Sequence, residues 1–238
     1  MGYGYYGGTT AAWILVLLSF AFSLWASSKV KRTYKKYSSL QNSKGITGFD
    51  AAREVLDKNG LRDVPIATTP GTLNDYYDPS RRQVVLGEDE YNSTSPVAIG
   101  VACHECGHAI QYKESYLPAK IRMAIVPATN FGSKLSMPLI VLGALLGAVI
   151  PFLYNLIYVG IGLFSLCVFF QLITLPTEFD ASKRALECIE KYGMLEGDDL
   201  SAAKEVLTAA ALTYVAALAV ALSQLIRLLS IYGRRSRN

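Results

Sequence analysis

Three long uncharged apolar segments divide the chain, at residues 11–27, 136–176 and 207–226. About 20 apolar residues cross the hydrocarbon core of a bilayer, so the first and last segments each match one helix and the middle one matches two. Pro151, followed by Tyr154 and Asn155, indicates a turn between spans at 136–153 and 156–176. The pattern predicts a mainly α-helical membrane protein with about four transmembrane helices.

The polar region after the first apolar segment predicts a small α+β lobe. Thr47 and Asp50 have the spacing of a capping box and begin a helix within 44–60, which ends at Gly60. Turn residues at 78–81 then favour a short hairpin. The candidate strands of this hairpin are residues 73–77 and 83–86, and residues 64–69 form one more extended stretch before it.

A further helix follows this hairpin. Ser95 has the properties of an N-cap and Pro96 those of a first helical residue, so we expect a helix at 97–113. Its apolar stretch is too short to cross a membrane, and it ends in polar residues. The sequence therefore predicts a buried helix of a polar lobe.

Composition agrees with a folded membrane protein. Hydrophobic residues make up 51% of the chain, charged residues make up 18%, and mean hydropathy is +0.27. This excludes a disordered chain. A net charge of +4 gives no reason to expect nucleic acid as a partner. The four cysteines lack the spacing of a secreted disulfide framework, so we expect reduced thiols.

The cations predict the orientation. Residues 28–135 and 177–206 together hold 19 of the 23 Lys and Arg, so the positive-inside rule puts both segments in the cytoplasm. Cations follow the first apolar segment rather than precede it, which indicates a retained anchor with its N-terminus outside. Arg227, Arg234, Arg235 and Arg237 would lie outside if the last segment crosses. Either these arginines are tolerated on the outer side of the membrane, or the last segment does not fully cross it.

These features divide the chain into five expected parts. They are an N-terminal anchor (1–28), a lobe that bears both histidines (29–135), a two-span hairpin (136–176), a helical segment that includes Glu178 (177–206), and a C-terminal apolar segment with a basic tail (207–238).

Both histidines of the chain lie in one motif, His104-Glu105-Cys106-Gly107-His108. At about 100° of rotation per helical residue, the two imidazoles lie about 40° apart on one face, which suits one Zn²⁺. Glu105 lies beside this position, where it can take a proton from a zinc-activated water. Cys106 is on the far face. Gly107 indicates a close neighbour or room beside the metal. The alternative is a chance match of the motif in a soluble helix.

A catalytic zinc site needs a third protein ligand, and no histidine remains. The ligand must be a carboxylate or a thiolate. Glu178 is the best candidate because two spans after His108 return the chain to the same side. We expect Glu178 to open a helix that runs to about Tyr192. Alternatively, Glu178 and Asp180 simply occupy the first turn of that helix, where the helix dipole favours anions.

The chain resembles the YugP-type membrane zinc metallopeptidases, which are similar in style to the gluzincins. The likeness covers nearly the whole chain and follows the order of anchor, polar lobe, hairpin of spans and final apolar segment. Three stretches carry it: Leu73-Asn74-Asp75-Tyr76-Tyr77-Asp78-Pro79, Val101-Ala102-Cys103-His104-Glu105-Cys106-Gly107-His108-Ala109-Ile110-Gln111, and Leu175-Pro176-Thr177-Glu178-Phe179-Asp180-Ala181-Ser182.

The resemblance implies zinc-dependent peptide hydrolysis at a membrane surface by a zincin-like lobe. It carries over His104, His108 and Glu178 as the metal ligands and Glu105 as the general base. The cofactor that it implies is Zn²⁺.

Two positions depart from the family pattern. A histidine usually stands where this chain has Tyr76, so the hydroxyl of Tyr76, or that of Tyr77, would have to stabilise the oxyanion. Ordinary packing in the hairpin is the alternative for both tyrosines. Gluzincins also often place an Asp four residues after the ligand Glu, where this chain has Ser182. Asp180 is then a candidate to bond a zinc histidine instead.

The leading hypothesis is a multi-pass zinc endopeptidase of a bacterial cell membrane, with its active site facing the cytoplasm. Its expected partners are the lipid bilayer and membrane-proximal or unfolded protein or peptide substrates, and its oligomeric state stays open. One alternative is an intramembrane-type zinc protease whose metal helix is itself a span. The other is a non-catalytic membrane adaptor whose structural zinc is closed by Cys103 or Cys188.

Overall fold

The computed structural model describes residues 3–71 and 74–233, with side chains from Thr10 onward. The start of the predicted strand at 73–77 and the tail residues Arg234, Arg235 and Arg237 lie outside the described residues. The chain forms two compact units. The first unit comprises Met1–Trp25, Ile121–Leu175 and Tyr214–Asn238, and the second comprises Ala26–Lys120 and Pro176–Thr213.

The described residues form a mainly helical chain with one small sheet. The helices are α1 (Tyr3–Tyr37), α2 (Gly48–Lys58), α3 (Glu88–Asn92), α4 (Pro96–Lys113), α5 (Leu117–Leu146), α6 (Asn155–Lys191) and α7 (Gly197–Tyr232). The strands are β1 (Ile66–Thr69), β2 (Tyr76–Asp78) and β3 (Gln83–Gly87), and a short 3₁₀ turn covers Pro151–Tyr154.

Four helical segments of the described chain are long and apolar enough to cross a membrane, as the apolar pattern predicts. They are Thr10–Tyr37, Leu117–Leu146, Pro151–Lys191 and Gly197–Tyr232. The predicted turn at Pro151 is confirmed, because the 3₁₀ turn there ends α5 and leads into α6. The final apolar segment meets the same criterion of length and composition as the other three.

The expected helix start at Glu178 is wrong. Helix α6 runs without a break from Asn155 to Lys191, with Pro176 inside it. A proline removes one backbone hydrogen bond and usually breaks a helix in water. In apolar helices, neighbouring groups compensate for the lost bond and the helix continues. Glu178 therefore lies in the middle of a long helix, and a first-turn dipole effect does not account for it.

Small side chains let the helices of the first unit pack closely. A Cβ atom on Gly160 of α6 would lie 2.6 Å from the carbonyl oxygen of Ser136 on α5. Such contacts are typical of membrane helices, where small residues let backbones approach. Ser19 of α1 and Ser223 of α7 share a hydrogen bond of 2.8 Å between their hydroxyls.

The sheet of the second unit contains the predicted hairpin. Strand β2 pairs antiparallel with β3, with Tyr77 opposite Val84, and β1 pairs with the other edge of β3 in parallel. The strand order is β1-β3-β2, so β2 is an edge strand of this sheet. The parallel pairing of β1 was not expected from the sequence.

Helices α2 and α4 begin as their sequences predict. Thr47 and Asp50 form a reciprocal capping box at the start of α2, and Gly60 follows its end with a φ of +67°. The Ser95 side chain accepts a hydrogen bond from the Ala98 backbone N–H at the start of α4, and Pro96 is the first helical residue. Both caps satisfy backbone N–H groups that have no partner within the helix.

The core of the second unit forms around α4. Its fully buried members come from α2, β3, α4, α6 and α7, and they include Leu56, Leu86, Ile99, Ile189 and Ala203. The thiols of α4 also lie in this core, where Cys106 contacts the Ala52 carbonyl and Cys103 contacts Met194. Because α4 is buried on most of its surface, its position is set by all of these neighbours.

Helices α4 and α6 meet at Gly107. A Cβ atom at this position would lie 2.6 Å from the carbonyl oxygen of Ala181, closer than real Cβ contacts allow. Ala181 is itself fully buried. Of the two explanations that the sequence offers for Gly107, the structure therefore supports a close neighbour packed over it.

Asp75, the residue before β2, forms a hydrogen bond with the last residue of β3. Its Oδ1 atom accepts a hydrogen bond of 2.8 Å from the Gly87 backbone N–H. Burial raises the pKa of Asp75 to about 7, and the negative charges of Glu90 and Glu105 add to this, although the Gly87 bond opposes it. The carboxyl group therefore gains a proton in the folded chain at a pH where the unfolded chain has lost it.

Gly107→Ala tests the close packing of α4 on α6. We expect this methyl group to lower the stability of the detergent-solubilised chain by about 1–3 kcal/mol, because the helices must move apart. Gly162→Ala on α6 is the matched control, since nothing lies within 4 Å of its Cβ position. There the better helix propensity of Ala should give unchanged or higher stability. Equal melting temperatures for the two variants would contradict the packing argument.

Asp75→Asn should change how stability depends on pH. In the metal-depleted wild type, the raised pKa makes the folded state bind more protons than the unfolded state between about pH 4 and 7, so stability falls as the pH rises through this window. The Asn variant keeps the acceptor for Gly87 but lacks this titration. Its melting temperature relative to wild type should therefore increase from pH 4 to pH 7, and a constant difference would argue against the shift.

Candidate metal centre

Two imidazoles and one carboxylate meet inside the second unit. His104 and His108 lie one turn apart on α4, and Glu178 comes from α6. Their ligand atoms all lie within 4.8 Å of one another. The Glu178 Oε2 atom is 3.3 Å from the His104 Nε2 atom and 3.6 Å from the His108 Nε2 atom. The residues that the sequence analysis singled out as candidate ligands thus lie together, although 70 positions separate His108 from Glu178.

These distances fit a metal ion. Ligand atoms about 2.0–2.1 Å from a tetrahedral zinc lie about 3.3 Å from each other. Two imidazole nitrogens and one carboxylate oxygen are also a donor set that zinc takes in hydrolytic enzymes, with the fourth position left open. All three side chains are largely buried, with Glu178 only 2% exposed. The arrangement could therefore hold a zinc ion with little rearrangement.

A hydrogen-bonded amide orients His108. The Nδ1 atom of His108 lies 3.0 Å from the Oε1 atom of Gln111, which is fully buried. The amide nitrogen of Gln111 donates to the Thr177 carbonyl and to Asp180, each at 2.8 Å. Because both of these partners are acceptors, the amide oxygen must face the histidine, and Nδ1 must carry the proton. The Nε2 atom of His108 is then the one available to a metal.

Asp180 and Arg184 extend this network on α6. The Arg184 guanidinium donates to Asp180 and to Glu114, at 2.6 Å in each case. The expectation that Asp180 bonds a zinc histidine is therefore wrong. Asp180 instead accepts a hydrogen bond from the Gln111 amide and holds that amide in place. Charge-assisted bonds of this kind hold side chains more firmly than neutral ones.

Ser182 contacts the other histidine. Its hydroxyl lies 3.1 Å from the Nδ1 atom of His104. The residue four positions after Glu178 thus contacts a candidate ligand histidine through a neutral hydroxyl rather than a carboxylate. A helix turn separates Ser182 from Glu178, so one face of α6 supplies both the ligand atom and this support.

Glu105 is buried next to the histidines, with 8% of its surface exposed. Its negative charge raises the pKa of two neighbours, His108 and Asp75. Burial alone would lower the pKa of His108, but hydrogen bonding to Glu178 and the charge of Glu105 outweigh it. A metal cation would replace the proton that His108 shares with Glu178.

The two tyrosines of β2 differ in their surroundings. Successive residues of a strand point to opposite faces of a sheet. Tyr77 contacts Tyr112 of α4, with ring centroids 5.5 Å apart and the rings tilted by 49°, and it packs against the core. Tyr76 is 48% exposed on the other face. Packing explains Tyr77, whereas the hydroxyl of Tyr76 would have to approach the metal ligands from an exposed position.

The cysteines lie away from this cluster. Cys103 and Cys188 belong to the apolar core, and Cys188 contacts Asn59. Burial raises the pKa of the Cys103 thiol, which disfavours the thiolate that binds zinc. Within the described residues, the metal cluster contains His104, His108 and Glu178 and no thiol.

Two residues of this site were missed by reasoning from sequence. Gln111 lies three positions after His108 on the same helix, and this spacing was a usable signal because residues i and i+3 are neighbours. Asp75 had no such signal. Its carboxyl group comes within electrostatic range of Glu105 because β2 pairs with β3 and because the Asp75 side chain accepts a hydrogen bond from the Gly87 N–H.

Comparison with known proteins shows the family to which the chain belongs. The family model described as "Putative neutral zinc metallopeptidase" matches residues 12–233. "Putative membrane protease YugP" of Bacillus subtilis (strain 168) is 47% identical over 218 residues, which cover 92% of this chain and 95% of that protein. No solved structure matches the chain. Since the family model covers nearly the whole chain, the chain belongs to this family of putative neutral zinc metallopeptidases.

Proposed function

We propose that the chain is a membrane-anchored zinc endopeptidase that hydrolyses membrane-proximal or unfolded protein segments at the cytoplasmic face of a bacterial membrane. The observation that carries this proposal is the cluster of His104, His108 and Glu178, whose ligand atoms lie within 4.8 Å of one another. A bound zinc ion would polarise the scissile carbonyl and lower the pKa of a water toward about 7.

Glu105 is the general base of this proposal. It is buried beside the two histidines and is not a member of the ligand cluster, so its carboxylate is available to take a proton from the attacking water. The same carboxyl group then passes the proton to the leaving amine, as general acid–base catalysis requires. Gln111 and Ser182 keep the imidazoles oriented while this proton moves.

Strand β2 is the proposed binding place for the substrate backbone. It pairs with β3 along one edge and is the outer strand of the sheet. An extended peptide can add to such an edge through main-chain hydrogen bonds. The exposed Tyr76 lies on this strand, and we propose that its hydroxyl donates to the oxyanion of the transition state.

The cytoplasmic orientation rests on the distribution of charge. The segments 28–135 and 177–206, which supply the metal-binding residues, hold 19 of the 23 Lys and Arg. Loops with this bias stay on the cytoplasmic side of bacterial membranes. The relative from Bacillus subtilis is named as a putative membrane protease, which supports the membrane location.

The alternatives have less support. Helix α4 carries both histidines and is not among the segments long and apolar enough to cross a membrane, which disfavours an intramembrane protease. A structural zinc site needs four protein ligands. The cluster found among the described residues offers three, which favours a catalytic site over a structural one.

Glu105→Gln should abolish turnover and leave zinc in place. We expect kcat on a quenched, fluorescently labelled unfolded protein such as casein to fall by about 10²–10⁴, because the amide cannot accept the proton. Zinc content should stay unchanged because no ligand is lost. Glu54→Gln, on the exposed surface of α2, is the control and should keep both activity and metal. Full activity of the Glu105 variant would overturn the proposed mechanism.

Gln111→Leu tests the amide that orients His108. Removing such a support typically lowers metal affinity about 10–100-fold, and we expect a loss of this size in competition with a zinc chelator. Gln41→Leu, in an exposed loop, should bind zinc like the wild type. If both variants bound zinc equally well, the network would be a packing feature without effect on the metal.

A further inference from the structure

An apolar groove runs between α6 and α7 within the second unit. It has a volume of about 340 Å³, at the lower end of ligand-binding pockets. Its apolar lining is Phe179, Leu186, Leu207, Ala211 and Leu212. The function proposed above makes no use of this groove.

The groove begins next to the metal cluster. Ser182 lines it and also contacts the Nδ1 atom of His104 at 3.1 Å. Phe179 lines it as well and directly follows Glu178 in α6. Ser182 therefore separates this end of the groove from the imidazole of His104, on the Nδ1 side of the ring rather than on the Nε2 side that faces Glu178.

The side chain of Phe179 leaves apolar surface exposed in the groove. Although it is a large apolar residue, it is 48% exposed, whereas Leu207 on the opposite wall is 3% exposed. Burial of apolar surface contributes about 25 cal/mol per Å², so an apolar occupant would be stabilised where it covers the exposed part of Phe179.

The rim of the groove favours a peptide over a lipid chain. Lys183, Glu187 and Glu190 line it on α6, and Lys183 and Glu187 form an exposed ion pair of 3.7 Å. Charged side chains are costly in the hydrocarbon region of a bilayer. A rim that carries three of them favours an opening to water, where a peptide segment can enter the groove.

We propose that this groove binds an apolar side chain of the peptide substrate and thereby selects apolar over charged residues at one position of that substrate. The inference rests on the proposed peptidase function and adds the substrate class. Phe179 and Thr208 are the specificity-determining residues, since both line the groove and both are exposed to an incoming chain.

The test measures peptide binding without cleavage. The probes are alanine-rich fluorescent peptides with a single Leu, Phe or Asp at each position in turn, and the protein is the full zinc-loaded chain in detergent with Glu105→Gln. Burying a large apolar side chain contributes about 1.5–3 kcal/mol, so at one position Leu or Phe should bind about 10- to 100-fold more tightly than Asp.

Substitutions in the groove should remove this preference. Thr208→Trp fills the groove from an exposed position, and Phe179→Ser removes its outer wall. Each should reduce the preference to about twofold or less, since the apolar contact is lost. Ser201→Trp, an exposed position of α7 that does not line the groove, is the matched control and should keep it. A preference that persists in both groove variants would overturn the inference.

Two further outcomes separate the possibilities. Native mass spectrometry shows whether a lipid leaves on Thr208→Trp. If it does and the peptide preference stays, the groove is a lipid site and the inference is wrong.

Cleavage of the tightest-binding peptide by the chain with Glu105 intact tests the peptidase itself. Selective binding without any cleavage would contradict the proposed function and leave the groove as a site for apolar peptide segments.

Discussion

The metal cluster depends on the close packing of two helix backbones. Gly107 has no side chain to separate α4 from α6, and the carbonyl oxygen of Ala181 occupies the space where a Cβ atom would lie. His108 is the next residue on α4, and Glu178 lies one turn before Ala181 on α6. The absence of a single methyl group thus allows an imidazole and a carboxylate from distant parts of the chain to share a metal.

The surroundings of the two histidines are unequal. His108 bonds a buried amide that Asp180 and the Thr177 carbonyl hold in place, whereas His104 bonds the hydroxyl of Ser182. An amide with both ends satisfied has one orientation, and a hydroxyl can rotate. The network therefore fixes one ligand firmly and leaves the other with more freedom, while α6 contributes to both.

Local features of the fold could be predicted from the sequence because their causes are local. The capping box of Thr47 and Asp50, the Ser95 cap and the hairpin of β2 and β3 all follow from a few adjacent residues. The pairing of His104 with His108 follows from helix periodicity alone. Four apolar helices follow from length and composition.

Other features depend on contacts that no local pattern encodes. The passage of α6 through Pro176 requires neighbours that compensate for a missing N–H group. The parallel pairing of β1 with β3 and the approach of Asp75 to Glu105 depend on tertiary structure. The apolar groove forms because α6 and α7 lie side by side, and the sequence of neither helix shows that they do.

Metal analysis of Glu178→Ala tests the central claim most directly. Wild type and Glu187→Ala, an exposed position on the same helix, should each retain about one zinc per chain after dialysis against a weak chelator, since their three ligands are intact. Glu178→Ala should lose most of its zinc because two imidazoles alone hold the ion weakly. Stoichiometric zinc in Glu178→Ala would show that α6 does not complete the metal centre and would contradict this account.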